Sequence, residues 1–149
     1  METKSDRRLG AVVFTDIVDF TKLMSKDESK ALETLQKKNN IVHSEVAHFN
    51  GHFIKSIGDG SLSFFDSAKE AVDCAISIQN SLKTIISVRI GVHLGEIVYK
   101  DGDIFGDSVN IANRIEKISK PSGICISGQI FDQLENKKGY EFKHLGLHS

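Results

Sequence analysis

Apolar residues run almost unbroken through positions 9–17, LGAVVFTDI. That pattern predicts a strand covered on both faces. Positions 26–49 change to a helical pattern, in which Leu32, Leu35, Val42, Val46 and Phe49 form an imperfect stripe. The run SKDE from Ser25 reads as a capping box for this helix, and Gly51 ends it. HFIKSI and SLSFF then flank GDG, which predicts a β-hairpin turning at Gly58, Asp59 and Gly60. A second helix is predicted over 68–82, where Ala71, Val72, Ala75, Ile76 and Ile78 are apolar. Positions 85–94 predict another strand, alternating at Ile90, Val92 and Leu94. YKDGDIFGD reads as a loop, followed by a third helix over 108–119 that Pro121 and Gly123 stop. A short strand at 124–126, a short helix at 128–134 and a last strand at 140–145 complete the order.

The order β-α-β-β-α-β is that of the ferredoxin-like split arrangement. The expected fold is therefore α+β, a ferredoxin-like core with a C-terminal αβαβ extension. It forms one domain over residues 1–149, with its core from about residue 8. In this topology the first strand lies between the others and the hairpin packs beside it.

Composition narrows the function. Of 149 residues, 40% are hydrophobic and 26% charged, and the formal net charge of −1 argues against a general nucleic-acid binder. A small polyanionic substrate held by local cations or metals remains compatible. Cys74 and Cys125 form no CxxC, and Cys74 falls within the apolar pattern EAVDCAISI as a buried free thiol, which fits a reducing compartment. The N-terminal METKSDRR has no apolar run behind it and does not read as a signal peptide. No run of about 18 apolar residues is present, so no direct membrane insertion is expected. A cytoplasmic location follows, with room for a longer, sensor-linked or membrane-attached parent protein.

The chemistry gathers at three places. The first strand ends on an acid, Asp16, and the hairpin turn carries another, Asp59. Buried carboxylates are costly unless paired or bound to a cation. The split topology can bring these two element ends together as a hard-cation site. Mg²⁺ or Mn²⁺ takes a few oxygen ligands from protein while phosphates supply others. Read singly, Asp59 is an ordinary turn residue and Asp19 an ordinary helix-preceding acid. IVDFT leads into the first helix, where free backbone N–H groups can hold phosphate oxygens. Lys55 is expected on the same strand face as Phe53 and Ile57, either snorkelling at an edge or reaching a polar ligand. In DGDIFGDSVNIANRIEK, Asn110 and Arg114 stand one helical turn apart, a neutral orienting group beside a forked cation suited to phosphate. Their ordinary reading is an amphipathic, solvated helix face. The six histidines have no zinc spacing, and no nucleophile–base arrangement is legible.

Four segments, VVFTDIVDFT, FIKSIGDGSLSFF, RIGVHLGEIV and DIFGDSVNIANRIEK, occur in this order. Together they resemble the catalytic domain of the class III nucleotidyl cyclases, in its bacterial adenylate cyclase form, from about residue 8 onward. The resemblance implies a homodimer with active sites between the chains. Asp16 and Asp59, with the carbonyl of Ile17, would bind two ions of Mg²⁺ or Mn²⁺. Lys55 and Asp103 would read adenine, Asn110 would orient the ribose, and Arg114 would stabilise charge on the transferred phosphate. The triphosphate of ATP would lie along Ile17, Val18, Asp19, Phe20 and Thr21. Attack of the ribose 3′-hydroxyl on the α-phosphate would release pyrophosphate and give 3′,5′-cyclic AMP. Metal ligands would come from one subunit, and the base, ribose and phosphate groups from the other.

Relatives that make cyclic GMP usually carry Glu at the lysine position, so Lys55 disfavours the guanylate cyclase alternative. Two departures stand out. Asp19 occupies a position where the family commonly has glycine. The family's late phosphate-binding lysine, in an LKG-like segment, has no counterpart before Ser149; Lys143 in YEFKHLGLHS is the nearest candidate and reads as an edge-strand surface lysine. The expectation is a chain cut short inside a hairpin, with slow turnover. A nucleotide-binding or dimerising domain without much activity is the non-enzyme alternative.

Overall fold

The structure is a computed structural model that describes residues 5–145. A long first strand, β1 (Ser5–Ile17), is followed by α1 (Phe20–Lys26) and α2 (Glu28–His48). The hairpin β2 (His52–Ile57) and β3 (Gly60–Phe65) leads to α3 (Ala68–Leu82). Then come β4 (Val88–Lys100), β5 (Asp103–Phe105), α4 (Asp107–Lys117), β6 (Ile124–Ile126) and α5 (Gly128–Leu134). The strands form one sheet in the order β2-β3-β1-β4-β5, with β6 beside β4. β1 is central, as its apolar run requires. It pairs antiparallel with β4 from Ser5↔Lys100 to Ile17↔Val88, and with β3 from Ala11↔Phe65 to Thr15↔Ser61. The split βαββαβ core is the architecture expected from the sequence, while the extension, expected as αβαβ, ends at α5 among the described residues.

Because β1 alternates, it feeds two cores. Ala11, Val13 and Ile17 join Val88, Ile90 and Val92 against α2, α3 and α5. Val12 and Phe14 join Leu62, Phe64, Ile97 and Ile104 on the opposite face, closed by Ala112 of α4. α4 lies almost on the strand beneath it. A Cβ at Gly91 would stand 2.3 Å from the Glu116 backbone nitrogen, so only glycine permits this approach.

Five expectations need correction. The long helix is two: Asp27 leaves helical geometry (φ −157°, ψ 93°) and its side chain accepts from the Lys30 N–H, so Asp27 rather than Ser25 caps α2. The strand predicted over 85–94 starts at Val88 and runs on to Lys100. The loop YKDGDIFGD is a hairpin, with Asp101 (φ 55°) and Gly102 (φ 76°) turning β4 into β5. Lys55 does not share a face with Phe53. A β-bulge between them shifts the register from Phe53↔Ser63 to Lys55↔Leu62 and puts Lys55 on the α4 side. Lastly, residues 140–145 form no strand; Phe142 packs edge-on against Phe131 instead. The segment expected beyond Leu145 lies outside the described residues.

The bulge has a consequence for the site. β2 and β5 are the two edges of the strand path, which in a flat sheet puts them about 19 Å apart. Yet Lys55 of β2 and Asp103 of β5 form an ion pair at 2.9 Å. The sheet therefore coils over its α4 face until its edges meet.

Candidate functional site

Asp16 is the last residue but one of β1, and Asp59 sits in the β2–β3 turn beside it. Two features fix that turn. A Cβ at Gly60 would stand 2.3 Å from the Thr15 carbonyl, so the turn presses onto β1. The Ile17 N–H donates to Asp59 Oδ2 at 3.0 Å, tying turn to strand. Burial first, and then the Asp16 carboxylate next to it, push the Asp59 carboxyl up from the ordinary range.

Three cations surround this pair, none of them singled out in the sequence. Lys117, at the end of α4, donates to Asp16 Oδ2 at 2.9 Å. Lys38 of α2 is fully buried, and its Nζ donates to the Asp59 carbonyl at 2.8 Å. Burial lowers the Lys38 pKa to about 8, against the pull of Asp59 and Asp16. Arg89 stands opposite Asp16 in the β1–β4 register, and its Nε donates to the Ser119 carbonyl at 3.0 Å. Asp16, Asp59, Arg89, Phe20 and Thr21 line an open cleft of about 560 Å³.

The run leading into α1 shapes one wall of the cleft. Asp19 is left-handed (φ 55°, ψ 36°), which accounts for glycine suiting this position; Asp is one of the few other residues that adopt that conformation at modest cost. The Ile17 N–H is bonded to Asp59, and the Val18 N–H donates to the Ser87 carbonyl at 2.9 Å. Of the five residues expected along a triphosphate, only Asp19, Phe20 and Thr21 keep amides not committed in this way.

A second pair forms at the coiled-over edge. Lys55 Nζ donates to Asp103 Oδ2 at 2.9 Å, and the Ile104 N–H donates to Asp103 Oδ1 at 2.8 Å. The lysine contact, partly opposed by burial, holds the Asp103 carboxyl below its ordinary range. Asn110 and Arg114 are exposed on α4, and among the described residues they hydrogen-bond to neither pair. The structure thus joins Asp16 with Asp59 and Lys55 with Asp103, and leaves Asn110 and Arg114 facing outward.

The donor set fits a hard divalent cation. Two carboxylates meet in a cleft that Ile17 also lines, with Lys117 on the Asp16 carboxylate and Lys38 on the Asp59 carbonyl. Among the described residues no group of three or more His, Cys, Asp or Glu stands together, so such an ion would need further oxygens from its ligand. The buried thiols of Cys74, pushed up to about 12 mainly by burial, and Cys125, also pushed up, take no part.

Two of the missed cations left signals. Lys38 continues the helical spacing of Ala31, Leu35 and Val42, a lysine on an apolar stripe. Arg89 opens RIGVHLGEIV, a segment read for its motif and not for its first residue. Lys117 and Asp16 are 101 positions apart, and no local pattern joins them.

The family model described as "Adenylate and Guanylate cyclase catalytic domain" matches residues 5–148. The adenylate/guanylate cyclase/hydrolase of Silicibacter pomeroyi superposes with a TM-score of 0.91 at 34% identity, covering 98% of this chain and 91% of that one. The catalytic core of a rhodopsin-guanylyl cyclase with converted specificity, in complex with ATPalphaS, superposes with a TM-score of 0.81 at 26% identity, covering 90% and 86%. An adenylate cyclase of Streptomyces coelicolor is 30% identical over 137 residues, 89% of this chain and 36% of the relative. The chain spans 26% to 36% of the length of the first curated relatives it matches. Among the described residues, no helix is long and apolar enough to cross a membrane.

Proposed function

Given that the chain belongs to the adenylate and guanylate cyclase catalytic domain family, we propose that it converts ATP to 3′,5′-cyclic AMP and pyrophosphate at sites completed by a second copy. The observation that carries this reading is the carboxylate pair. Asp16 and Asp59 are held side by side at a strand end and a turn, in a cleft whose lining also includes Lys22 and Arg89. Asp16, Asp59 and the Ile17 carbonyl would hold Mg²⁺ or Mn²⁺, two ions per site. When bound, these ions supply charge neutralisation of the triphosphate and activation of the attacking hydroxyl.

The chain's own groups do the rest. In the reaction the ribose O3′–Pα bond forms and the bond from Pα to the bridging oxygen of the leaving group breaks. The hydroxyl proton passes to water, and pyrophosphate leaves. Lys55 donates to a ring nitrogen of adenine and Asp103 accepts from its amino group. Guanine presents a carbonyl where adenine has that amino group, so two acceptors would then face each other, at a cost of a few kcal/mol in a desolvated pocket. This favours ATP over GTP. Asn110 orients the ribose, and the Arg114 fork meets charge growing on the transferred phosphate. The outward placement of Asn110 and Arg114, away from the carboxylate pair of their own chain, supports a division of each site between two copies.

Mixing tests that division. Asp59→Ala and Arg114→Ala chains are each expected to be inactive alone. Mixed, they recover activity, because one of the two sites in the mixed dimer carries neither change. Mixed dimers seen by mass spectrometry without any recovered cyclic AMP would rule out shared sites.

A further inference from the structure

Lys117 has no role in the chemistry just proposed, yet its ammonium bonds directly to a carboxylate proposed as a metal ligand. Its Nζ donates to Asp16 Oδ2 at 2.9 Å, so a positive charge already stands against the oxygen that a divalent ion needs. The three cations around the carboxylates differ in their freedom. Lys38 is fully buried and bonded to a carbonyl, and cannot leave. Arg89 is engaged with the Ser119 carbonyl. The Lys117 side chain is 58% exposed and sits at the last turn of α4, free to change rotamer.

A second acceptor is also at hand. Glu116 Oε1 lies 3.4 Å from the same Nζ. Glu116 is buried against β4, and its Oε2 has no hydrogen-bond partner among the described residues. An ammonium leaving Asp16 therefore has a carboxylate to turn to without crossing solvent.

Resting on the metal-site reading above, we infer that Lys117 is the resident counter-cation of the Asp16 position: it occupies that oxygen in the free protein, moves toward Glu116 when a divalent ion arrives, and so sets how tightly the ion binds before nucleotide. A half-exposed ion pair is worth little, so the competition weakens metal binding by about two- to fivefold.

Mn²⁺ alone is the probe, with the free ion followed by its electron paramagnetic resonance signal. Lys117→Gln is expected to bind Mn²⁺ about two- to fivefold more tightly than the wild type, and Lys117→Arg to stay at the wild-type value. Lys120→Gln removes an exposed charge three residues on and is expected to change nothing. Unchanged or weaker binding by Lys117→Gln would overturn the inference, as would an equal gain from Lys120→Gln, which would mark a general charge effect. Absence of saturable Mn²⁺ binding in wild type and variants alike would instead remove the metal site itself. Thermal melts of each variant confirm folding.

Discussion

Replacing Lys38 with methionine gives the sharpest physical test of the site's electrostatics. The side chain is fully buried in the wild type, and methionine fills nearly the same space without charge. Burial lowers the lysine from 10.5 to about 8. The unfolded chain therefore keeps this proton up to about pH 10.5, while the folded protein gives it up near pH 8. Between those values the unfolded state binds more protons, so wild-type stability rises with pH. At 1.36 kcal/mol per unit, the rise is about 3 kcal/mol in total. The Cys74 thiol acts the other way above pH 9, but it is present in both proteins and cancels in the difference. At pH 7 the variant escapes the roughly 3 kcal/mol penalty and loses the bond to the Asp59 carbonyl, about 1–2 kcal/mol. Lys38→Met is thus expected to be about 1–2 kcal/mol more stable than wild type at pH 7. The wild type gains on it as the pH rises past 8 and overtakes it at about pH 9. Urea denaturation at pH 7, 8, 9 and 10 measures this directly. A stability difference that stays flat across the series would show that Lys38 titrates as in an unfolded chain, and the reasoning would fail.

Asp59→Asn keeps an acceptor for the Ile17 N–H and removes one of two adjacent carboxylates. The wild-type Asp59 carboxyl is raised, so the folded state holds its proton longer and loses stability as pH rises through that raised value. The variant lacks this loss, so at pH 7 it should melt no lower than wild type while binding Mn²⁺ far more weakly. Calorimetry with a non-cyclisable ATP analogue checks the second part, and wild-type-like uptake of both ions would refute the ligand assignment. At Asp19 the left-handed backbone makes Asp19→Gly nearly neutral, within about 1 kcal/mol. The β-branched Asp19→Val is expected to cost about 1–2 kcal/mol more in thermal or urea unfolding, and equal stability of the two would contradict that geometry.

Much of the frame was legible because periodicity carries it. The continuous apolar run at β1 meant a central strand, and the apolar stripe over 68–82 matches α3 to the residue. Asp16 and Asp59 were legible as a pair because topology alone can join a strand end to a turn. What escaped depends on tertiary geometry. The bulge that turns Lys55 toward Asp103 adds one unpaired residue, which no alternation pattern marks. The break at Asp27 was masked by helix-forming residues on both sides, and the apolar alternation of residues 140–145 was satisfied by aromatic packing on α5 in place of strand pairing. The Lys117–Asp16 contact exists only once α4 is seated on Gly91.

The central claim is cyclisation with a preference for adenine, and one measurement addresses it directly. The purified protein is incubated with Mn²⁺ and equal ATP and GTP, and cyclic nucleotides and pyrophosphate are quantified by mass spectrometry, with Asp16→Ala run in parallel. Lys55 and Asp103, placed together at the coiled-over edge, predict cyclic AMP in excess of cyclic GMP, pyrophosphate equal to their sum, and neither product from Asp16→Ala. Cyclic GMP equal to or above cyclic AMP, or no product above the Asp16→Ala background, would contradict the account.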